Sequence, residues 1–175
     1  MTPNKRSAAS RTVLDLDRHI PYFFTYISNK LSSGAGRLYR KHFGIGITEW
    51  RIMGVLAGYP EINANQICIK IGMDKAAISR SLQILEKQKL IFFTNTDDNR
   101  TRSISLTPSG YKVHDQIIEI ALERENLLVA KFTNEERRLF EKFLRNLRTE
   151  VANVNAWDPF EKPPAPNRKR SGQAG

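Results

Sequence analysis

The sequence has little from which a metal or thiol site could be built. It contains one cysteine, Cys68, and three scattered histidines, His19, His42 and His114. A disulfide-stapled or zinc-stabilised fold is therefore excluded, and no metal is expected. Long apolar runs are missing too. The longest are three or four residues, such as residues 90–93, far short of the ~20 needed to cross a bilayer. Residues 1–11 are polar and hold no signal-peptide core, so the expectation is a cytoplasmic protein with no membrane partner. There is no Gly-rich phosphate loop, zinc spacing, nucleophile elbow or Cys–His pair, and Gly34 and Gly36 lie inside a helical period. The expectation is no enzyme and no cofactor.

What is present is apolar substance and positive charge. Forty per cent of the 175 residues are apolar, enough for a core of one domain. Lysine and arginine number 28 against 18 acidic residues, a net charge of +10. Part of the excess lies in the tails, in Lys5, Arg6 and Arg11 and again in Lys162, Arg168, Lys169 and Arg170. Excess positive charge suits a polyanionic partner, because phosphate contacts release condensed counterions. Residues 1–16 read as an N-terminal tail, and residues 155–175, with Pro159, Pro163, Pro164 and Pro166, as a basic Pro-rich one.

Between the tails the helical period dominates. Ile20, Phe23, Phe24, Ile27, Leu31, Ala35 and Leu38 mark one face of a helix over about 19–42, with Pro21 in its first turn. Thr48 is the expected cap of a short helix to about Gly58, followed by a third helix near 64–71. Gly72 supplies a turn, and Asp74 caps a fourth helix to about Lys89. Residues 90–94 and 102–107 are β-type, joined by a polar hairpin loop. Thr107 and Pro108 open a long helix to about Val129, and Thr133 with Glu136 forms a capping box for a last one. The fold class is mainly α with a small β-hairpin wing.

Helix, glycine turn, helix and hairpin form the order of a winged helix-turn-helix. In the second helix of the pair, Ile78, Leu82 and Leu85 follow an i, i+4, i+7 spacing and should face the core. Ala76, Ser79, Arg80 and Gln83 then fall on the opposite arc, with Lys75 at the N-terminal end. Small residues let a helix lie deep in the major groove, while Ser, Arg and Gln offer donors and acceptors to base edges. The same residues on a lone helix would read as an ordinary solvated face. The hairpin tip tilts the balance, because Asp98, Arg100 and Arg102 put two arginines on a loop with no core to serve.

Asp98, Asn99 and Arg100, followed by Ile104, Leu106, Thr107 and Gly110, resemble the wing and following helix of MarR-type transcriptional regulators. Residues 47–51 are similar to that family's second-helix entry, and residues 74–89 to its recognition helix. The resemblance spans about residues 19–150 in the right order. It implies a homodimer reading a pseudo-palindromic double-stranded DNA operator, with recognition helices about 34 Å apart. It divides the region 17–154 into a winged helix-turn-helix at about 47–107 and dimerisation helices at about 19–43 and 108–152. By this resemblance Lys75, Ala76, Ser79, Arg80 and Gln83 read the major groove. Asp98, Arg100 and Arg102 form the wing contact, and Asn65 and Gln66 touch phosphate.

Relatives of this kind commonly hold a small anionic effector. His19, Tyr22, Phe23 and Tyr26 at the start of the first helix, with Trp50 and Arg51 in the second, are the candidate pocket for an aromatic carboxylate or its CoA thioester. The same rings also read as core or dimer packing, Arg51 as an inter-helix tie and His19 as a cap. The functional expectation is a ligand-released repressor, similar to regulators of aromatic-acid catabolism. Two alternatives are a redox-sensing repressor and an effector-independent architectural DNA-binding protein. Cys68, between Ile67 and Ile69, reads as buried and inert, which counts against redox sensing.

Overall fold

Helix α1 (Ile20–Phe43) follows one turn of 3-10 helix, Leu16–Arg18, and carries Pro21 where its missing N–H costs no bond. A computed structural model describes residues 12–95 and 102–161. Helix α2 (Ile47–Gly58) begins ahead of Thr48, the expected cap. The cap is instead Gly46, whose backbone N–H donates to Glu49 Oε2 at 2.8 Å. Glu49 is buried, so this helix end is satisfied from inside the protein rather than by the hydroxyl of its own first turn.

Helices α3 (Ala64–Ile71) and α4 (Lys75–Lys87) lead into a hairpin of β1 (Ile91–Asn95) and β2 (Arg102–Leu106). The strands are antiparallel, pairing Ile91 with Leu106, Phe93 with Ile104 and Asn95 with Arg102. The segment ahead of α3 docks on this hairpin, with Ile104 N–H donating to the Ile62 carbonyl at 2.9 Å. Helix α5 (Pro108–Leu128) opens as its sequence indicates, Thr107 Oγ1 accepting the Gly110 N–H at 3.0 Å. Helix α6 (Asn134–Ala156) carries the Thr133–Glu136 capping box at its start.

The chain divides into two compact units, residues 1–123 and 124–175, with the boundary inside α5. The core of the first is built by Ile52, Met53 and Leu56 of α2, Ile67 of α3, and Ile78, Leu82 and Leu85 of α4. The hairpin adds Ile91, Ile104 and Leu106, and α5 adds Ile117. Burial of each such side chain contributes about 1.5–3 kcal/mol. Trp50 joins three helices: its ring stacks on His114 of α5 at 5.4 Å and meets Tyr39 of α1 edge-on at 5.9 Å.

In the second unit, Phe132 meets Phe140 edge-on at 5.6 Å, and Arg137 bonds Glu125 at 2.6 Å. Leu139, Phe140, Phe143, Leu147 and Val151, the apolar stripe of α6, are all exposed. The stripe of α1 in the first unit is open as well, at Ile20, Phe23, Phe24, Ile27 and Leu31. No described helix is long and apolar enough to cross a membrane.

Candidate nucleic-acid interface

The helix pair α3–α4 is set by local chemistry. Asn63 Oδ1 accepts the Gln66 N–H at 3.0 Å while Gln66 Oε1 accepts the Asn63 N–H at 2.9 Å, a reciprocal cap that fixes the start of α3. Gly72 ends it in the left-handed conformation, φ 73°, which only glycine adopts without penalty. Asp74 Oδ1 then accepts the Ala77 N–H at 2.8 Å and starts α4. That N–H bond, with help from the Arg80 charge, holds the Asp74 carboxyl below its ordinary pKa.

Helix α4 presents two faces, as its period requires. Ile78, Leu82 and Leu85 are buried, whereas Lys75, Ala76, Ser79, Arg80 and Gln83 are exposed. Asn65 and Gln66 are also exposed on α3. The carbonyl of Gln66 is engaged in its cap, which leaves its amide N–H groups as donors.

A cleft of about 530 Å³ lies where α3, α4 and the hairpin converge. Five of the sequence-predicted residues line it: Asn65 from α3, Lys75, Ser79 and Gln83 from α4, and Arg102 from β2. Leu82, Cys68 and Phe93 form apolar wall, and Glu86 adds one carboxylate. Ala76, Arg80 and Gln66 are outside the cleft lining. Cys68 is buried, as its apolar neighbours suggested. Asp98 and Arg100 lie outside the described residues.

One participant was not read from the sequence. The Arg102 guanidinium sits over the face of Phe93, 4.2 Å from the ring centroid. Phe93 pairs with Ile104 and Asn95 with Arg102, so Phe93 and Arg102 are diagonal neighbours on one face of the hairpin. Strand alternation was the available signal, but it needed a register that the six-residue loop leaves undetermined.

The candidate effector residues are not gathered into one place. Arg51 Nη2 donates to Ser32 Oγ at 2.9 Å, and Trp50 packs on Tyr39 and His114. Ser32 and Tyr39 lie six and thirteen residues beyond Tyr26, about 9 and 20 Å along α1. Tyr22, Phe23 and Tyr26 are exposed near the helix start, and His19 occupies the N-cap position without a side-chain cap bond. None of the six lines the cleft, nor a second groove of about 400 Å³ beside Phe132, Phe140 and Phe143 of the second unit.

The crystal structure of a MarR/EmrR family transcriptional regulator from Acinetobacter sp. ADP1 is 34% identical, with a TM-score of 0.75, over 80% of this chain and 99% of that one. The chain belongs to the MarR family. The MarR family model itself matches residues 43–101, from the end of α1 through the hairpin loop. An uncharacterized HTH-type transcriptional regulator of Bacillus subtilis (strain 168), YdgJ, is 27% identical over 117 residues, which is 65% of this chain and 70% of that protein. The S. aureus MepR–DNA complex shares the fold, with a TM-score of 0.67 at 24% identity over 79% of this chain and 98% of that one. The MarR fold thus accounts for the hairpin wing, and the chain is a MarR-type DNA-binding transcriptional regulator rather than an enzyme.

Proposed function

We propose that the protein is a dimeric repressor that grips a pseudo-palindromic operator and is released from it by a small aromatic carboxylate or its CoA thioester. The observation that carries the DNA-binding half is the convergence of Asn65, Lys75, Ser79, Gln83 and Arg102 on one cleft. Beside it, Ala76 and Arg80 are exposed on the same helix. In this reading Ser79, Arg80 and Gln83 meet base edges, Ala76 permits close approach, and Lys75, Asn65, Gln66 and Arg102 meet the backbone. Asp98 and Arg100 complete the wing contact, with Arg100 in the minor groove. The solved complex of MepR with DNA, on the same fold, supports the assignment.

The open apolar stripes of α1 and α6 support the dimer, since exposed rows of phenylalanine and leucine mark surfaces made for a partner. The aromatic cluster at His19, Tyr22, Phe23 and Tyr26 supports an aromatic effector held where a second protomer covers it, with Trp50 and Arg51 transmitting the change to α2. Weakening operator affinity a hundredfold takes about 2.7 kcal/mol of differential effector binding. That is within reach of one charge-assisted contact plus ring burial.

The test is anisotropy binding to the DNA upstream of the protein's own gene at fixed salt, with and without a panel of aromatic acids and their CoA thioesters. Tight binding released by one compound is the expected result. Affinity no better than for random DNA would overturn the repressor reading. Tight binding that no compound releases would overturn the effector half alone.

A further inference from the structure

We propose that Phe93 is a positioning residue for DNA binding: its ring holds the Arg102 guanidinium over the cleft so that Arg102 and Lys75 together grip a backbone phosphodiester. The inference rests on the DNA-binding reading above and adds to it a residue, and a physical device, that reading does not contain.

The geometry begins in the hairpin register. Phe93 and Arg102 lie on one face of β1 and β2 as a diagonal pair, and the guanidinium carbon is 4.2 Å from the ring centroid. At that separation the positive charge meets the negative face of the ring. With the guanidinium carbon over the ring, the N–H donors that point away from it are available to a ligand. Among the described residues no carboxylate is paired with Arg102, which lines the cleft with Lys75.

Phe93 is itself held. It is half-buried, packs against the buried core, and lines the cleft alongside Lys75, Ser79 and Asn65. An arginine on an exposed strand end would otherwise sample many rotamers, and ordering it on binding would cost about as much as a weak contact returns. A ring already fixed by the core removes most of that cost. Glu86 lies eleven residues after Lys75, about 16 Å further along α4, which disfavours an anion at its end of the cleft. The two cations and the Ser79 hydroxyl line one cleft, and in the proposal they share a phosphate there. The contact is one of position rather than base reading, so it acts on any duplex.

The experiment uses the full chain and a labelled duplex of its own upstream DNA, with dissociation constants measured across a salt series. Arg102→Ala should weaken binding and lower the slope of log K against log salt by about one. Phe93→Leu should weaken binding about two- to fivefold, the range of an exposed cation–π contact, while Phe93→Tyr should bind like the parent. In the Arg102→Ala background, Phe93→Leu should change nothing further. In the free protein, NMR should show the Arg102 side-chain protons shifted upfield by the ring, a signature kept by Phe93→Tyr and lost in Phe93→Leu.

Equal losses from Phe93→Leu with and without Arg102 would overturn the proposal, as would Phe93→Tyr binding as weakly as Phe93→Leu. Should Phe93→Leu fail to fold, Arg102→Lys decides, because lysine keeps the charge but not the planar stack: parent-like affinity overturns the proposal, and a loss supports it. If the parent protein shows no salt-dependent affinity for DNA, the DNA-binding reading itself fails, even with the ring-shifted arginine present.

Discussion

The guanidinium of Arg51 donates from Nη2 to Ser32 Oγ at 2.9 Å, a bond that crosses from α2 to α1. It joins the first helix, with its open apolar stripe, to the helix that leads into the α3–α4 pair. In the free chain Arg51 is therefore an inter-helix tie. An effector carboxylate drawn to Arg51 would have to displace or share this bond, which gives the residue a means of coupling the two regions.

Removing either partner should show the tie. Ser32→Ala and Arg51→Ala should each lower unfolding free energy by about 1–2 kcal/mol, as expected for a hydrogen bond from a charged donor. The double variant should lose less than the sum. Urea denaturation in a double-mutant cycle measures this, and strict additivity would show that the bond contributes nothing.

Two glycines should respond to alanine in opposite directions. A Cβ at Gly110 would be driven into the Leu90 carbonyl oxygen, where the start of α5 crosses the entry to the hairpin. Gly110→Ala should cost about 1–3 kcal/mol or more, seen as a lower urea midpoint. Gly54 lies inside α2, and a Cβ there meets nothing within 4 Å. Gly54→Ala should add about 0.4–1 kcal/mol by restricting the unfolded chain.

Acid should loosen the start of α4 through Asp74. Its carboxyl is held below the ordinary value, chiefly by the Ala77 N–H, so its stabilisation is complete above the unfolded-state pKa. That stabilisation is lost as the pH falls through the lower, folded-state value. As the pH falls below the ordinary carboxylate range, the protection of the Ala77 amide, judged against an unstructured amide at the same pH, should drop in the parent. The Asp74→Ala variant should show the lower protection throughout, with no such dependence on pH. Glu136, lowered by the Thr133 backbone N–H and hydroxyl, should behave likewise at the start of α6.

Lys75 and Arg80 should fail in different ways. Lys75→Ala should weaken all duplexes alike and reduce the salt slope by about one, as expected for a phosphate contact. Arg80→Ala should cost about 1–3 kcal/mol on the operator and little on random DNA, relaxing preference at one base pair. Competition binding at two salt concentrations separates the two. A uniform loss for both variants would remove Arg80 from base reading.

Much of the winged helix-turn-helix was legible because its determinants are neighbours in the chain. The caps at Asp74, Thr107 and Thr133 act over three residues, and the Gly72 turn acts over one. The two faces of α4 follow from a 3.6-residue period, so burial of Ile78, Leu82 and Leu85 and exposure of Ser79, Arg80 and Gln83 come from a single count. The start of α2 was misplaced because its capping carboxylate, Glu49, is buried, and burial of a charged residue leaves no mark in a local pattern.

By itself, then, the sequence determined most of the helix caps, which side of α4 faces outward, and the order of elements that makes a winged helix-turn-helix. These are short-range matters of backbone capping and periodicity. Only the tertiary structure decided that Phe93 lies beneath Arg102, that Arg51 is bonded to Ser32, and that Asn65, Lys75 and Arg102 share one cleft. Each of these joins residues from different elements, and their meeting depends on strand register and helix packing, in which a one-residue slip would turn every side chain of the strand to the other face.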